Sequence, residues 1–201
     1  MKVIGLTGGI ATGKSAAASM LLELGARIID ADELAREIVQ PGADAWREIV
    51  EAFGEEILRD DRTLDREKLR RIVFRDEKKR RRLEAITHPR IRSLARQRMQ
   101  ELAAEGAEIV VYMAPLLFEA RVHLWLRPVI VVACDLATQK ERLRRRDGLS
   151  EEEIERHLNA QMPLDEKRRL ADIVIENSGT LDDLRKRVKE VWDKLVRSEQ
   201  L

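Results

Sequence analysis

The hydrophobic pattern changes repeatedly between short apolar runs and longer stretches in which apolar residues have helical spacing. The runs at 2–6 and 128–133 are apolar without alternation, which is typical of parallel strands buried on both faces. Predicted strands lie at 2–6, 26–29, 108–112, 128–133 and 171–175, and predicted helices at 14–24, 137–146, from 150 onward and at 181–196. Strands that alternate with helices predict a parallel sheet whose ligands bind at the carboxyl ends of the strands.

The stretch from residue 33 to 104 differs from the rest, because no part of it has a convincing strand pattern. Trp46, Ile49 and Phe53 are spaced as on one face of a helix, and similar spacing recurs further along. We therefore predict a helical insertion between the second and third strands. The predicted divisions are a core at 1–32, 105–135 and 171–201, the insertion at 33–104, and an arginine-rich lid region at 136–170.

The loop after the first strand has the most specific chemical motif in the chain. Gly8 to Ser15 fits G-x-x-x-x-G-K-[ST] between a strand and a helix, which is the phosphate-binding P-loop pattern. Glycines let successive N–H groups point at phosphate oxygens, and the start of the helix adds its dipole. We predict that Lys14 reaches the β- and γ-phosphates of ATP and that the Ser15 hydroxyl binds Mg²⁺. The predicted ATP contacts in this segment are Gly9, Ala11, Thr12, Gly13, Lys14, Ser15 and Ala16.

Other charged side chains are expected at the same edge of the sheet. Asp30 and Asp32 follow the second strand, so at least one carboxylate is expected near the γ-phosphate. From the residues alone, Asp32 is equally well interpreted as the N-cap of the next helix or as a catalytic group. Arg142 and the run 144–146 resemble the lid of small-molecule kinases, which excludes water so that ATP is not lost to hydrolysis.

Composition narrows the possible classes of function. The net charge is +1 and only 3% of the residues are aromatic, which disfavours a nucleic-acid-binding ATPase. The single cysteine, Cys134, allows no intrachain disulfide and fits a reducing cytoplasm. No apolar run approaches the ~20 residues of a membrane helix. We therefore expect a cytoplasmic protein without nucleic-acid or membrane partners.

Further motifs make the whole chain resemble the dephospho-coenzyme A kinase family. The most selective are Thr7–Ile10, Asp30–Asp32 and Pro115–Glu119. The other matching motifs are Val39–Gly42, His88-Pro89, Gln139–Leu143, Arg146-Asp147, Ala160–Met162 and Ala171–Asn177. The resemblance implies a three-layer α/β P-loop NTPase fold with a five-stranded parallel sheet, a helical substrate-binding insertion and a short helical lid.

The resemblance also implies the reaction, in which ATP phosphorylates the 3′-hydroxyl of the dephospho-CoA ribose in the last step of coenzyme A synthesis. Asp32 matches the family's essential carboxylate, which orients this hydroxyl and accepts its proton, and Lys14 and Arg142 complete the predicted catalytic set. The predicted acceptor contacts are Asp32, Arg36, His88, Leu117 and Glu119, and the further ATP contacts are Arg142, Asn177 and Gly179. ATP and Mg²⁺ are the expected cofactors, dephospho-CoA is the expected partner, and a monomer or weak homo-oligomer is the expected state.

Two other functions stay open at this point. Another small-molecule or nucleoside kinase would share the core but use a different acceptor, although an insertion of roughly 70 residues favours a bulkier one, because long insertions usually carry function. A nucleotide-dependent switch protein would hydrolyse ATP slowly and would need a partner interface. Asp32 and the arginine-rich lid argue against that second function.

Overall fold

The computed structural model, which describes residues 1–197, contains a five-stranded parallel sheet in the order β2-β3-β1-β4-β5. The strands are β1 Lys2–Gly8, β2 Arg27–Asp30, β3 Ile109–Met113, β4 Val129–Ala133 and β5 Ile173–Glu176. In the register of the sheet, β1 lies between β3 and β4, with Ile4 opposite Val111 and Leu6 opposite Ile130. The predicted parallel sheet is therefore confirmed, with strand ends displaced by one or two residues. Residues 198–201 of the predicted core segment lie outside the described residues.

Helices connect the strands and form most of the segment between β2 and β3. They are α1 Lys14–Glu23, α2 Ala31–Glu37, α3 Asp44–Phe53, α4 Arg66–Arg75, α5 Glu77–Ala104, α6 Leu136–Asp147, α7 Glu151–Asn159, α8 Leu164–Leu170 and α9 Leu181–Arg197. Short 3₁₀ turns lie at Glu55–Ile57 and Val122–Leu124. The sequence analysis did not separate α7 from α8. The break precedes Pro163, whose ring disfavours helical backbone in the residue before it and which begins α8 as its N-cap.

By internal packing, the described chain divides into two compact units. The first contains residues 1–29 and those from 102 onward, and the second contains residues 30–101. In the first unit, α1 and α9 pack on the sheet through a shared apolar core that includes Leu6, Leu21, Leu184 and Val188. The regular apolar stripe along α9 therefore has the packing role that its spacing predicts.

Helix α8 packs against β4 and is also held by ion pairing at the carboxyl edge of the sheet. Arg168 donates from its two terminal nitrogens to Glu176, at 2.7 and 3.1 Å, and to the carbonyl of Cys134 at 3.1 Å. Two-point contacts between guanidinium and carboxylate are among the stronger and more directional hydrogen-bonded pairs in proteins. They fix α8 relative to the ends of β4 and β5.

The second unit has an apolar core of its own, built from α3, α4, α5 and the 3₁₀ turn between α3 and α4. Ile49, Ile57, Leu69 and Ile86 are buried in it. Helix α4 begins at Asp65, whose carboxylate accepts the Lys68 N–H at 2.9 Å. Helix α5 continues through Pro89 although this residue has no N–H to donate. Within the described part of this unit, strand-like pairing is limited to an isolated bridge between Leu58 and Leu64.

The packing of α1 predicts that truncating two neighbouring leucines to alanine lowers the free energy of unfolding by different amounts. Leu21 is fully buried, whereas Leu22 is 53% exposed. Leu21→Ala is expected to lower the free energy of unfolding by about 2–5 kcal/mol, because it removes buried methyl groups and leaves a cavity. Leu22→Ala serves as the matched control and should cost less than about 1 kcal/mol. Urea unfolding measures both, and equal losses would contradict the assigned packing of α1.

Candidate active site

The P-loop follows β1 directly and leads into α1 with an unusual backbone conformation. Ala11 has a φ of 59° and Gly13 a φ of 93°, so both residues lie in the left-handed region. A Cβ atom at Gly13 would collide with Nδ2 of Asn177, and the left-handed backbone would strain any other residue there, so the position strongly favours glycine. Thr12 is buried, and its hydroxyl donates to the carbonyl of Gly9 at 2.9 Å. The loop is thus wound tightly, and one of its turns is closed by the Thr12 hydroxyl.

Helix α1 begins at the end of this loop without a side-chain cap. Gly13 is its N-cap, and because glycine has no side chain, no side-chain hydrogen bond caps the helix. The N–H groups of a first helical turn and the positive end of the helix dipole favour an anion at such a terminus. Lys14 is half-buried and Ser15 is exposed on this turn. All the predicted ATP contacts from Gly9 to Ala16 lie on this loop and turn.

Arg142 and Asn177 hold the P-loop from outside. The Asn177 side chain is buried and donates to the carbonyl of Thr12 at 2.8 Å. Arg142 donates to the carbonyl of Asn177 at 2.8 Å and, in longer contacts, to those of Ala11 at 3.4 Å and Thr12 at 3.5 Å. The structure thus brings both predicted ATP contacts to the P-loop, where their polar atoms bond to its backbone. Gly179 lies two residues after Asn177. It directly precedes Thr180, whose hydroxyl accepts the Asp183 N–H at the start of α9.

Three other basic residues of α6, namely Lys140, Arg144 and Arg146, pair with carboxylates of the lid region. Lys140 and Arg144 both contact Glu151, and Arg146 donates twice to Asp147, at 2.8 and 2.7 Å. Hydrogen bonds from Lys140 and then Arg144 lower the pKa of the Glu151 carboxyl. Arg142 differs from Arg144 and Arg146 because its bonds go to the P-loop.

The loop after β3 contains two predicted acceptor contacts with very different surroundings. Leu117 is fully buried, and its Cδ1 lies 3.0 Å from where a Cβ of Gly5 would be, so its side chain packs against β1. Glu119 accepts the Met162 N–H at 2.9 Å and forms an ion pair with Lys167 at 3.0 Å. The sequence analysis missed Lys167, because it did not predict the helix α8 that contains it.

In the second unit, the two aspartates where β2 ends and α2 begins have separate roles. Asp30 is the N-cap of α2, and its carboxylate accepts the Asp32 N–H at 2.8 Å. Asp32 lies in the first turn of that helix and is exposed, so the capping role considered for Asp32 belongs to Asp30. Arg36, four residues further along the same helix, is also exposed. His88 is exposed on α5, next to Pro89.

Arg66, at the start of α4, belongs to the same electrostatic neighbourhood and was missed by the sequence analysis. Partial desolvation is the main cause that lowers the pKa of its guanidinium, and repulsion from Arg36 adds to the effect, whereas Asp32 opposes it. The side chains of Asp32 and Arg36 therefore lie close enough to Arg66 to act on its charge within this unit. Arg59 adds a further repulsion, so three arginines beside the Asp32 carboxylate leave a net positive charge, which favours an anionic ligand.

Comparison with known proteins shows similarity over nearly the whole chain. A family model described as Dephospho-CoA kinase matches residues 2–183. A dephospho-CoA kinase of Geobacter sulfurreducens is 52% identical over 194 residues, which cover 96% of this chain and 98% of the relative. The solved structure of a dephospho-CoA kinase from Campylobacter jejuni has a TM-score of 0.74 at 31% identity and covers 100% of both chains. A crystal structure of a Thermus thermophilus protein has a TM-score of 0.84 at 38% identity, over 96% of this chain and 97% of that one.

The chain belongs to the dephospho-CoA kinase family. Dephospho-CoA kinases transfer phosphate from ATP to dephospho-CoA in the last step of coenzyme A synthesis, so the predicted enzyme and its α/β P-loop fold are confirmed. Family membership also decides against the two functions that the sequence had left open, another small-molecule kinase and a switch protein. Across residues 1–197, none of the helices combines the length and the apolar character needed to cross a bilayer.

Asp135 fixes the start of α6, the helix that carries Arg142. Its carboxylate accepts the N–H and the hydroxyl of Thr138, at 2.7 and 2.8 Å. The Thr138 N–H, followed by the hydroxyls of Ser178 and Thr138, holds the pKa of the Asp135 carboxyl well below its ordinary value. The neighbouring Cys134 is buried, and desolvation raises the pKa of its thiol, which agrees with a structural thiol.

The lowered pKa of Asp135 predicts a pH-dependent contribution to stability. Its folded pKa lies below the ordinary value of 3.8, so the contribution is present above that value and is lost as the pH falls through the folded pKa. Asp135→Asn keeps an acceptor oxygen for the cap but loses the charge. The difference in Tm between wild type and this variant should be largest near pH 7 and should narrow below about pH 4. Thermal melts from pH 7 to pH 3 measure it, with the exposed Asp60→Asn as control; a constant difference would contradict the assignment.

Proposed function

We propose how the residues of this site carry out the family reaction, in which ATP phosphorylates the 3′-hydroxyl of the dephospho-CoA ribose to give CoA and ADP. The observation that carries the proposal is the P-loop held by Arg142 and Asn177 at the start of α1, in a chain that matches the family over residues 2–183. The N–H groups of the loop bind the ATP phosphates, and Lys14 neutralises the charge of the β- and γ-phosphates.

Ser15 and the ATP phosphates are the proposed ligands of Mg²⁺. Mg²⁺ usually keeps several waters and is bound through substrate phosphates and few protein groups, which suits a single exposed hydroxyl on the first turn of α1. Within residues 1–197, no three His, Cys, Asp or Glu side chains are grouped as a metal site, so the protein offers no alternative cage. When bound, the ion neutralises charge on the phosphate oxygens.

Asp32 is the proposed group that orients the acceptor hydroxyl and takes its proton. As the oxygen–phosphorus bond to the ribose forms, the bond between the γ-phosphorus and the β–γ bridging oxygen breaks, and ADP leaves with that electron pair. In a loose transition state, positioning contributes more to the rate than base strength does. The proposal is supported by the family match and by the role of Asp30 as cap, which leaves the Asp32 carboxylate exposed at the start of α2.

Arg36 and Arg66 are proposed to hold phosphate oxygens of dephospho-CoA. The support is their mutual repulsion beside a single carboxylate, Asp32, which an anionic acceptor would relieve. His88 stays a predicted acceptor contact, supported by its exposure on α5 and its place in a family motif. For Leu117 the predicted contact has weaker support, because its side chain is fully buried.

We also propose that the protein works in the cytoplasm, as a monomer or weak homo-oligomer without a nucleic-acid partner. The proposal is supported by its single, buried cysteine and by its near-neutral net charge of +1.

The reaction can be tested directly with the purified protein, Mg-ATP and dephospho-CoA. Mass spectrometry should detect a product that is heavier than dephospho-CoA by one phosphoryl group, with ADP formed in equal amount. Adenosine and AMP serve as control acceptors and should give little product. ADP without CoA would count against the proposed acceptor.

The role of Asp32 predicts a specific loss in the variant Asp32→Asn. It should bind Mg-ADP as wild type does but lose about 10²–10⁴-fold in kcat, since positioned proton acceptors contribute rates of that order. The neighbouring exposed carboxylate offers a matched control, Glu33→Gln, which should keep nearly full turnover. Lys14→Ala should weaken both nucleotide binding and transfer. Near-normal turnover in Asp32→Asn would contradict the catalytic role assigned to Asp32.

A further inference from the structure

The backbone of Ile10, in the first half of the P-loop, is held on both sides by glutamine side chains. The Ile10 N–H donates to Oε1 of Gln161 at 3.1 Å, and the Ile10 carbonyl accepts from Nε2 of Gln139 at 2.8 Å. Gln139 is buried, and its Nε2 would lie 2.9 Å from a Cβ atom at Gly9, so the contact with the loop is close. Ile10 precedes Ala11, whose φ of 59° is unfavourable for a residue with a side chain.

Gln161 belongs to the linker between α7 and α8, and the next residue of this linker is anchored by a buried charge. The Met162 N–H donates to Oε1 of Glu119 at 2.9 Å. The same oxygen accepts from Nζ of Lys167 at 3.0 Å, and Lys167 also donates to the carbonyl of Pro115 at 2.8 Å. The Thr7 hydroxyl donates to that carbonyl as well, at 3.2 Å. Hydrogen bonds therefore join the linker to the carboxyl ends of β1 and β3.

The side chain of Lys167 is completely buried, so its ion pair carries a large desolvation penalty. A contribution to stability is therefore a poor explanation for this pair. Removing an ammonium group from water costs several kcal/mol, and an apolar side chain of similar volume often fits such a site at least as well. A buried ion pair does, however, impose direction, because the ammonium and the carboxylate must meet at one place. Here that place is Glu119 Oε1, the atom that also orients the linker through Met162.

We infer that Gln139, Gln161, Glu119 and Lys167 form a P-loop brace, a set of positioning residues that keeps the loop in its phosphate-binding conformation. The brace deepens the proposed function and rests on it for the identity of the nucleotide. Strained backbone persists only where its surroundings determine it, and the two glutamines do this next to Ala11. In the brace, Glu119 positions the linker, which differs from the acceptor contact predicted for it.

The brace has a thermodynamic consequence for nucleotide binding. If the binding-competent conformation is only partly populated, the apparent affinity falls by that fraction. Gln161→Leu keeps the size of the side chain and removes the acceptor for the Ile10 N–H. The loss of one hydrogen bond that selects the conformation should weaken Mg-ADP binding by about threefold to tenfold. The dephospho-CoA KM should stay within about twofold, since under this inference the brace acts through the P-loop alone.

The experiment compares wild type, Gln161→Leu and the double variant Glu119→Leu/Lys167→Met, with Gln100→Leu on α5 as the matched control. The double variant removes both partners, so no uncompensated charge is left buried and the protein should still fold. Calorimetry gives the Kd of Mg-ADP, and steady-state kinetics give the KM of ATP and of dephospho-CoA separately. Both brace variants should weaken Mg-ADP binding and raise the KM of ATP in parallel, while Gln100→Leu should match wild type.

Three results would overturn the brace. The first is wild-type affinity for Mg-ADP in Gln161→Leu. The second is a rise in KM confined to dephospho-CoA in the double variant, which would restore Glu119 as an acceptor contact. A lower Tm with unchanged Kd and KM would also reject it, because the residues would then serve stability only. If the wild type binds Mg-ADP but does not phosphorylate dephospho-CoA, the proposed function is contradicted instead. The Mg-ADP affinities of the variants would still show whether the brace supports the P-loop.

Discussion

The conformation of the P-loop depends on hydrogen bonds that side chains from distant parts of the chain make to its backbone. Asn177 and Arg142 bond to carbonyls near its end, and Gln139 and Gln161 bond to the two polar groups of Ile10. A loop that must bind phosphate through its N–H groups needs those groups to converge, which the regular hydrogen bonding of a helix or strand does not allow. The protein therefore supplies partners for the loop from α6, from the α7–α8 linker and from the end of β5.

The lid region consequently contains two kinds of residue. Arg144, Arg146 and Lys140 pair with carboxylates near the surface, where such pairs contribute little to stability. Arg142 and Gln139 lie on the same helix, but they face the P-loop and bond to its backbone. Helix α8 adds Arg168 and Lys167, which fix that helix and the preceding linker to the ends of the central strands. An arginine-rich sequence is therefore a poor guide to which arginine matters, since helix orientation decides it.

The second unit shows how one short motif can divide structure and chemistry between two similar residues. Asp30 and Asp32 are separated by a single alanine, yet only Asp30 lies where its carboxylate can accept an N–H of the first turn of α2. Because Asp30 caps α2, the carboxylate of Asp32 is not required for capping. Asp32 and Arg36 lie near Arg66 in a charged surface where the excess of cations favours an anionic ligand. The chain thus combines a unit that contains the P-loop with a helical unit that has an apolar core of its own.

The sequence by itself determined the parallel sheet, the P-loop, the helical character of residues 33–104 and the family, because these follow from local patterns of apolar residues, glycines and short motifs. Strand and helix ends were also close to those observed, for the same reason. The separate helix α8 was missed, because its seven residues are too few to show a helical period. Only the tertiary structure decided that Asn177 and Arg142 bond to the P-loop, that Leu117 is buried, and that Glu119 meets Lys167. Each of these contacts joins residues far apart in the chain, and which polar groups become partners depends on where the packed elements bring them.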